Sequence, residues 1–329
     1  MRKLMFLFFA LPLFSYGKCH SDSLILYSYN VENLFDTIND PNKNDEDFLP
    51  NGKLQWNSAR YFDKLNKIVQ VVTNDGKEFP AAVGLIEIEN ETVLKDLVAR
   101  MKFKGHAYSY VWYDSPDERG IDVAMLYDAK QMKIISSEKL PVVLKSETDP
   151  NTRDILHVYA KACGMKLHFF VNHWPSRRGG EDVSAPFRAQ AAGVLRSKID
   201  ELVKSAPQTN VICMGDFNDF PSNESVKSVL GAGVSKESSV LLNMMSDDEQ
   251  RKEGSHFYQK EWSMLDQFIV SYSLYENHMN EHSAKIVRHP YLMYTSKSGE
   301  QSPARTYVGD SWKGGYSDHL PIRLAIKCK

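Results

Sequence analysis

The chain has 329 residues, 42% of them hydrophobic and 25% charged, enough apolar material to bury a real core in one large domain or two ordinary ones. Lys and Arg total 40 against 42 for Asp and Glu, a formal charge of -2. That near-balance excludes binding to nucleic acid through net charge; such a partner has to be held by a local basic patch.

Residues 1–17 read as a secretory signal peptide. Arg2 and Lys3 precede an apolar run over residues 4–14, and Ser15-Tyr16-Gly17 places small residues before the cleavage point. The run is too short to span a bilayer comfortably. A secreted or periplasmic protein is expected, with a lipoprotein anchored through Cys19 as the lesser alternative, because Lys18 is bulky where lipid attachment needs a small residue. Cys19, Cys163, Cys213 and Cys328 have no paired CxxC spacing, which argues against zinc. Export permits disulfides, and chain ends often lie together, so Cys19–Cys328 is the expected bridge. Cys213 sits in an apolar strand and is expected as a buried thiol. No linker composition interrupts residues 20–329, which are expected to form a single domain.

Taken in order, residues 24–31 alternate as a strand whose last polar member is Asn30. Residues 37–55 are an irregular excursion rich in Asn, Asp, Pro and Gly. Asn57 or Ser58 caps a helix to about Val72, with Tyr61, Leu65, Ile68 and Val72 on one face. Residues 81–87 form a nearly continuous apolar strand, buried on both faces and ending at Glu87. A short helix over 92–101 follows, then strands over 107–113 and 119–127 and hairpin strands to about Leu144. Strands 154–162 and 165–172 are split by Gly164, and the second delivers Asn172-His173-Trp174-Pro175-Ser176. Arg177-Arg178-Gly179-Gly180 is a basic, flexible loop before a long amphipathic helix over about 186–203. The strand 210–214 delivers Gly215-Asp216-Phe217-Asn218-Asp219, and a short helix covers about 223–230. Residues 255–271 give two strands around Trp262, with Asp266 in the second. A Gly/Ser/Lys-rich loop, 295–316, leads to Ser317-Asp318-His319-Leu320-Pro321 and the final strand.

Strand after strand therefore stops at an oxygen ligand or a histidine: Asn30, Glu87, His173, Asp216 with Asn218, and Asp318 with His319. Each alone is an ordinary turn or core residue. Together with Tyr29-Asn30-Val31-Glu32-Asn33, Leu85-Ile86-Glu87-Ile88-Glu89-Asn90, Arg119-Gly120, Gly215-Asp216-Phe217-Asn218, Leu265-Asp266-Gln267 and Ser317-Asp318-His319-Leu320-Pro321, they make the chain resemble the endonuclease/exonuclease/phosphatase superfamily. The motifs fall in family order and span nearly the whole chain after the leader. The resemblance implies an α/β fold: a four-layered sandwich of two central, mostly antiparallel sheets flanked by helices.

It also implies roles. Glu87 would be the principal metal ligand, with Asn30 and Asp318 in or beside its shell, an oxygen set that suits Mg, with Mn or Ca as substitutes. Asp216 would orient or deprotonate the attacking water, and Asn218 would hold phosphate and water. His319 would face the phosphate with Asp266 fixing its tautomer, and His173 would be a second phosphate-facing donor. Arg119, Arg177 and Arg178 are candidates for substrate phosphate contacts. The run from Asn172 to Gly180 resembles the secreted bacterial nuclease branch, which points to nucleic acid, DNA and also RNA, as substrate. The expected activity is a metal-dependent phosphodiester hydrolase, a secreted endonuclease of low sequence specificity acting by in-line attack of water. Two alternatives stand beside it: a phosphatase or phospholipase-like diesterase on a small or lipid phosphoester, and a non-catalytic binding protein on the same scaffold. Glu89 stands where pancreatic-type deoxyribonucleases carry a DNA-contacting Arg, and an acidic group there would repel a phosphate backbone.

Overall fold

The computed structural model describes residues 22–74, 76–102, 107–145, 151–233 and 241–328. The expected signal peptide, residues 1–17, and Cys19 lie outside them. The first strand, β1 (Ser23–Leu34), shows how the layers arise. Its side chains alternate, so Leu24 and Leu26 face one way and Tyr27 and Tyr29 the other, and all four are buried. A strand buried on both faces needs a layer on each side.

The next elements are α1 (Ser58–Val72), β2 (Ala82–Ile88), α2 (Glu91–Met101), β3 (Tyr108–Trp112) and β4 (Asp122–Asp128). They are followed by β5 (Met132–Leu140), β6 (Ile155–Ala162), β7 (Met165–His173), α3 (Glu181–Ser205), β8 (Val211–Asp216), β9 (Ala232–Gly233) and β10 (Leu241–Asn243). Then come α4 (Ser246–Gln250), β11 (His256–Tyr258), β12 (Glu261–Ser263), β13 (Asp266–Ser271), α5 (Tyr272–His278) and β14 (Ala284–Ile286). Short hairpins β15 (Met293–Thr295), β16 (Gln301–Pro303), β17 (Tyr307–Val308) and β18 (Ser311–Trp312) precede β19 (Ile322–Lys327).

One sheet has the order β14-β19-β1-β2-β4-β3 and the other β5-β6-β7-β8-β13-β10-β9. Most pairs are antiparallel; β1 with β2, β7 with β8 and β9 with β10 are parallel. Leu24, Leu26, Ile86, Phe169, Val171, Met214, Phe268 and Leu324 fill the space between the sheets. Tyr27, Tyr29, Leu65, Ile68 and Leu94 bind α1 and α2 to the outside of the first sheet, and Phe170, Leu195, Ile199 and Cys213 bind α3 to the outside of the second. The result is the expected four-layer α/β sandwich. Asn57 and Asn90 cap α1 and α2 by accepting from Ala59 and Arg60, and from Thr92 and Val93. No helix among the described residues is long and apolar enough to cross a membrane.

Parity then places the site. Asn30, His173, Asp216 and Asp266 are an even number of residues from Leu26, Val171, Met214 and Phe268, so each faces the inter-sheet space. Register puts them at one edge, because His173 and Asp266 both pair with Asp216. Glu87 has the wrong parity. Its φ is 69°, and the β2–β4 ladder slips from Ile86↔Val123 to Ile88↔Asp122 around it. The neighbouring β1 slips too, with Glu32 at φ 55° and Asn33 at φ 57°. These bulges turn Glu87 out of its pleat and towards Asn30.

Several boundaries differ from expectation. The helix expected from 186 starts at Glu181, ahead of Pro186, because the Ser184 hydroxyl donates to the Gly180 carbonyl at 2.7 Å and secures an extra turn. The strand expected from 119 starts at Asp122, since Gly120 turns at φ 71°. The segment 223–230 is a π-turn over Ser225–Val229, and the loop 295–316 carries the hairpins β15–β18. Cys328 is bridged to Cys163, not to Cys19, with Cα atoms 5.3 Å apart. The β6–β7 turn and the end of β19 meet where the two sheets stack, a proximity that chain ends alone do not predict. Cys213 is free and buried, as expected, and burial pushes its thiol up.

Candidate active site

The end of β8 and the loop after it are built so that each of five successive residues, Gly215 to Asp219, has its own job. Gly215 lies so close to β7 that a Cβ there would meet the Asn172 carbonyl oxygen at 2.0 Å, so no side chain fits. Asp216 faces the site, while Phe217 is buried edge-on against Trp174, with ring centres 4.7 Å apart. Asn218, at φ 50°, donates its amide to the Trp174 carbonyl at 3.0 Å, and its N–H donates to Asp216 Oδ1 at 2.8 Å. Asp219 is buried and pairs with Arg188 at 2.7 Å, tying the loop to α3.

Opposite stands His319. Its Nδ1 lies 2.6 Å from Asp266 Oδ2, and its Nε2 lies 3.8 Å from Asp216 Oδ2. Burial opposes charge on this imidazole, but Asp266 and Asp216 outweigh it and hold its pKa well above the usual histidine range. Ser255 completes the support: its hydroxyl donates to Asp266 Oδ2 at 2.6 Å. Ser317 pins the same loop by donating to the Asn30 carbonyl at 2.7 Å and accepting from the His319 N–H at 3.1 Å.

His173 is the contrasting histidine. Its Nε2 is 4.0 Å from both Glu87 Oε1 and Asp216 Oδ2, and its Nδ1 has no partner. Burial, then Arg153 and Arg119, hold it well below the usual range, so it is a neutral imidazole.

Carboxylates crowd the first-sheet side. Asn30 Nδ2 donates to Glu87 Oε1 at 3.3 Å and to Asp216 Oδ2 at 3.2 Å, while the Asn33 N–H donates to Glu87 Oε2 at 2.8 Å. Burial and then Asp318 raise the Glu87 carboxyl; burial raises Asp216 to about 6. Asp318 keeps its charge, held low against burial by His319, His256 and Arg305. Buried carboxylates beside the charged Asp318 fit a hard divalent cation, which would offset their burial and mutual repulsion. Glu87 with Asp318 and the Asn30 amide beside it is the set that could hold one.

The structure thus gathers Asn30, Glu87, His173, Asp216, Asn218, Asp266, Asp318 and His319 at one edge. The arginines part company. Arg177 is committed to the protein: it donates to the Asn218 carbonyl at 2.9 Å and reaches Asp219, Asn223 and Glu181. Its expected substrate contact gives way to a bracing role, because its guanidinium is already surrounded. Arg119 and Arg178 instead line a cavity beside the site. Glu89 does not face a substrate backbone. It is buried, accepts from the Asp36 N–H at 2.6 Å, and burial raises its carboxyl to about 8. Ser255, His256, Arg305 and Arg153 escaped sequence reading; they sit in loops or at a strand's start, and only the fold brings them to the site.

The family is now clear. A model of the Endonuclease/Exonuclease/phosphatase family matches residues 25–328, and the chain belongs to that family. The general chemistry supported is hydrolysis of phosphoester bonds, in a family generally dependent on divalent metals. An endonuclease/exonuclease/phosphatase family protein from Bacteroides thetaiotaomicron superposes with a TM-score of 0.56 at 19% identity, covering 92% of this chain and 94% of that one. A mannosyl-6-phosphatase from the same organism gives 0.57 at 19% identity, covering 92% and 99%. TDP2 of D. rerio, in a complex with a single-strand DNA product, gives 0.57 at 16% identity, covering 93% and 100%. No curated protein matches the sequence.

Proposed function

We propose that this protein is a secreted, magnesium-dependent endonuclease of low sequence specificity. The observation that carries the reading is the Asp266–His319 pair at 2.6 Å, aimed across the edge at Asp216 and at the Glu87–Asn30 cluster. Magnesium bound by Glu87, with Asn30 and Asp318 beside it, would supply positive charge for the phosphate oxygens. Asp216, raised to about 6, is placed to orient a water and take its proton near neutral pH. Asn218 is positioned to hold the phosphate and that water. His319, kept cationic by Asp266, donates to a phosphate oxygen as charge develops, and neutral His173 offers a second donor.

A second reading, a phosphatase or diesterase on a small phosphoester, draws on one observation: the cavity beside the site is about 620 Å³, the size of a small ligand. The mannosyl-6-phosphatase shares the fold and acts on such a substrate. Nicking of supercoiled plasmid by the chain from residue 18 onward tests the first reading. Nicking with magnesium, lost with EDTA and in His319→Ala, is the expected result. Folded protein that leaves plasmid intact but releases phosphate from a sugar phosphate would replace it with the second.

A further inference from the structure

Beside the oxygen cluster at Glu87 stands a second group of different chemistry. His256, Asp318 and His319 each present a ligand atom within 4.8 Å of the other two, and no other trio of histidine, cysteine or carboxylate side chains among the described residues does so. Asp318 and His319 are neighbours on one loop. An isolated bridge lays His256, at the start of β11, against His319, with ring centres 4.7 Å apart. His319 is buried, whereas His256 and Asp318 are partly exposed and have room to turn. Arg305 Nη2 lies 3.5 Å from His256 Nε2 and 3.6 Å from Asp318 Oδ2. Arginine only donates, so the His256 nitrogen facing it carries a lone pair. A lone pair and a carboxylate thus converge on one point, and the guanidinium there, its side chain 33% exposed, holds neither closely.

The third member is prepared in another way. Asp266 occupies His319 Nδ1 at 2.6 Å, which leaves Nε2 as the ligand atom and supplies the carboxylate support usual for a metal-bound imidazole. Two imidazole nitrogens and one carboxylate oxygen suit a borderline cation, zinc above all, better than magnesium. We propose that His256, Asp318 and His319 bind a zinc ion at an inhibitory site that shares only Asp318 with the Glu87 set. Zinc holds such ligands at about 2.0–2.2 Å, so the trio closes by rotation of the His256 and Asp318 side chains. The metal takes the place of the Nε2 proton of His319, which leaves to solvent, and displaces Arg305. His319 then has no proton to donate to a phosphate oxygen, and Asp318 is drawn away from magnesium. This consequence rests on the phosphoester-hydrolase reading; the binding does not.

Two measurements test it. In the first, zinc chloride is titrated calorimetrically into the whole protein, stripped of metal and without substrate. Affinity should fall by about 10-fold or more in His256→Phe, which keeps a ring against His319. It should rise in Arg305→Gln, where the competing positive charge is gone, and hold in Glu87→Gln. Undetectable binding in the wild type overturns the proposal. So does an affinity lost in Glu87→Gln but kept in His256→Phe, because zinc then sits in the magnesium set. In the second, zinc is titrated against kcat/KM on a phosphodiester at fixed magnesium, with each variant scaled to its own zinc-free rate. The half-inhibiting concentration should rise by about 10-fold or more in His256→Phe and fall in Arg305→Gln. Unchanged inhibition in both variants overturns the proposal. Zinc binding as expected in a protein that turns over no phosphoester would instead overturn the hydrolase reading and leave the zinc site standing.

Discussion

The two ends of the sheet pair are built on opposite rules. At the end carrying Asp216 and His319, carboxylates crowd, Glu87 sits at φ 69°, and buried atoms of His173 and Asp266 lack partners. Away from it, charge is matched. Arg323 on β19 and Tyr27 on β1, register partners, both bind Glu78, with Arg323 Nη2 at 2.7 Å and the Tyr27 hydroxyl at 2.7 Å. At the far end of the same strands, the Cys163–Cys328 bridge links the β6–β7 turn of one sheet to β19 of the other. Under the proposed function, the unsatisfied end is the one that a metal and substrate would complete.

Changes at either end should break or sharpen this contrast. The largest effect is expected from His319→Ala, which should lower kcat/KM on a phosphodiester by about 10²–10⁴-fold while leaving the melting temperature near that of the wild type. A large loss of stability in place of activity would erase the contrast. Asp266→Asn keeps the shape but removes the charge that raises His319. Activity should drop by about 10²-fold, and because the cationic form then persists only to a lower pH, the alkaline limb of the pH–rate profile should move to lower pH. An unmoved limb would remove His319 from the profile. Cys163→Ser should cost about 2–4 kcal/mol of unfolding free energy by denaturant titration and spare kcat. Glu78→Gln should have the smallest effect, about 1 kcal/mol or less. Burial works against the Glu78 charge, but Arg323 and Tyr27 outweigh it and depress its pKa below 4.5. Its contribution is therefore present above pH 4.5 and lost as pH falls through the depressed value. The gap in melting temperature between variant and wild type should narrow as pH falls from 7 through the depressed value; a constant gap would discount the ion pair.

Some of the site was legible because strands carry their own address. Once residues 165–172 and 210–214 read as strands, the alternation that buries Val171 and Met214 also fixes where His173 and Asp216 point. The cap at Asn57, one of the two candidates, and the buried thiol of Cys213 were likewise written locally; the cap at Asn90 was not read. Glu87 was legible as the polar end of a strand, but its direction was not, since its pleat parity is wrong and a bulge corrects it. Glu89 was misread as facing substrate, and Arg177 as free to bind it, because a position along the chain does not reveal which neighbours are already in contact.

The sequence by itself determined the alternation of layers, the strand ends that carry polar groups and the family's order of motifs, since these depend on contacts within a few residues. Tertiary structure decided the rest. The Cys163–Cys328 bridge and the raised His319 beside a lowered His173 depend on groups from separate strands and loops meeting in a low-dielectric interior. There, burial and the nearest charge outweigh any intrinsic preference of the side chain.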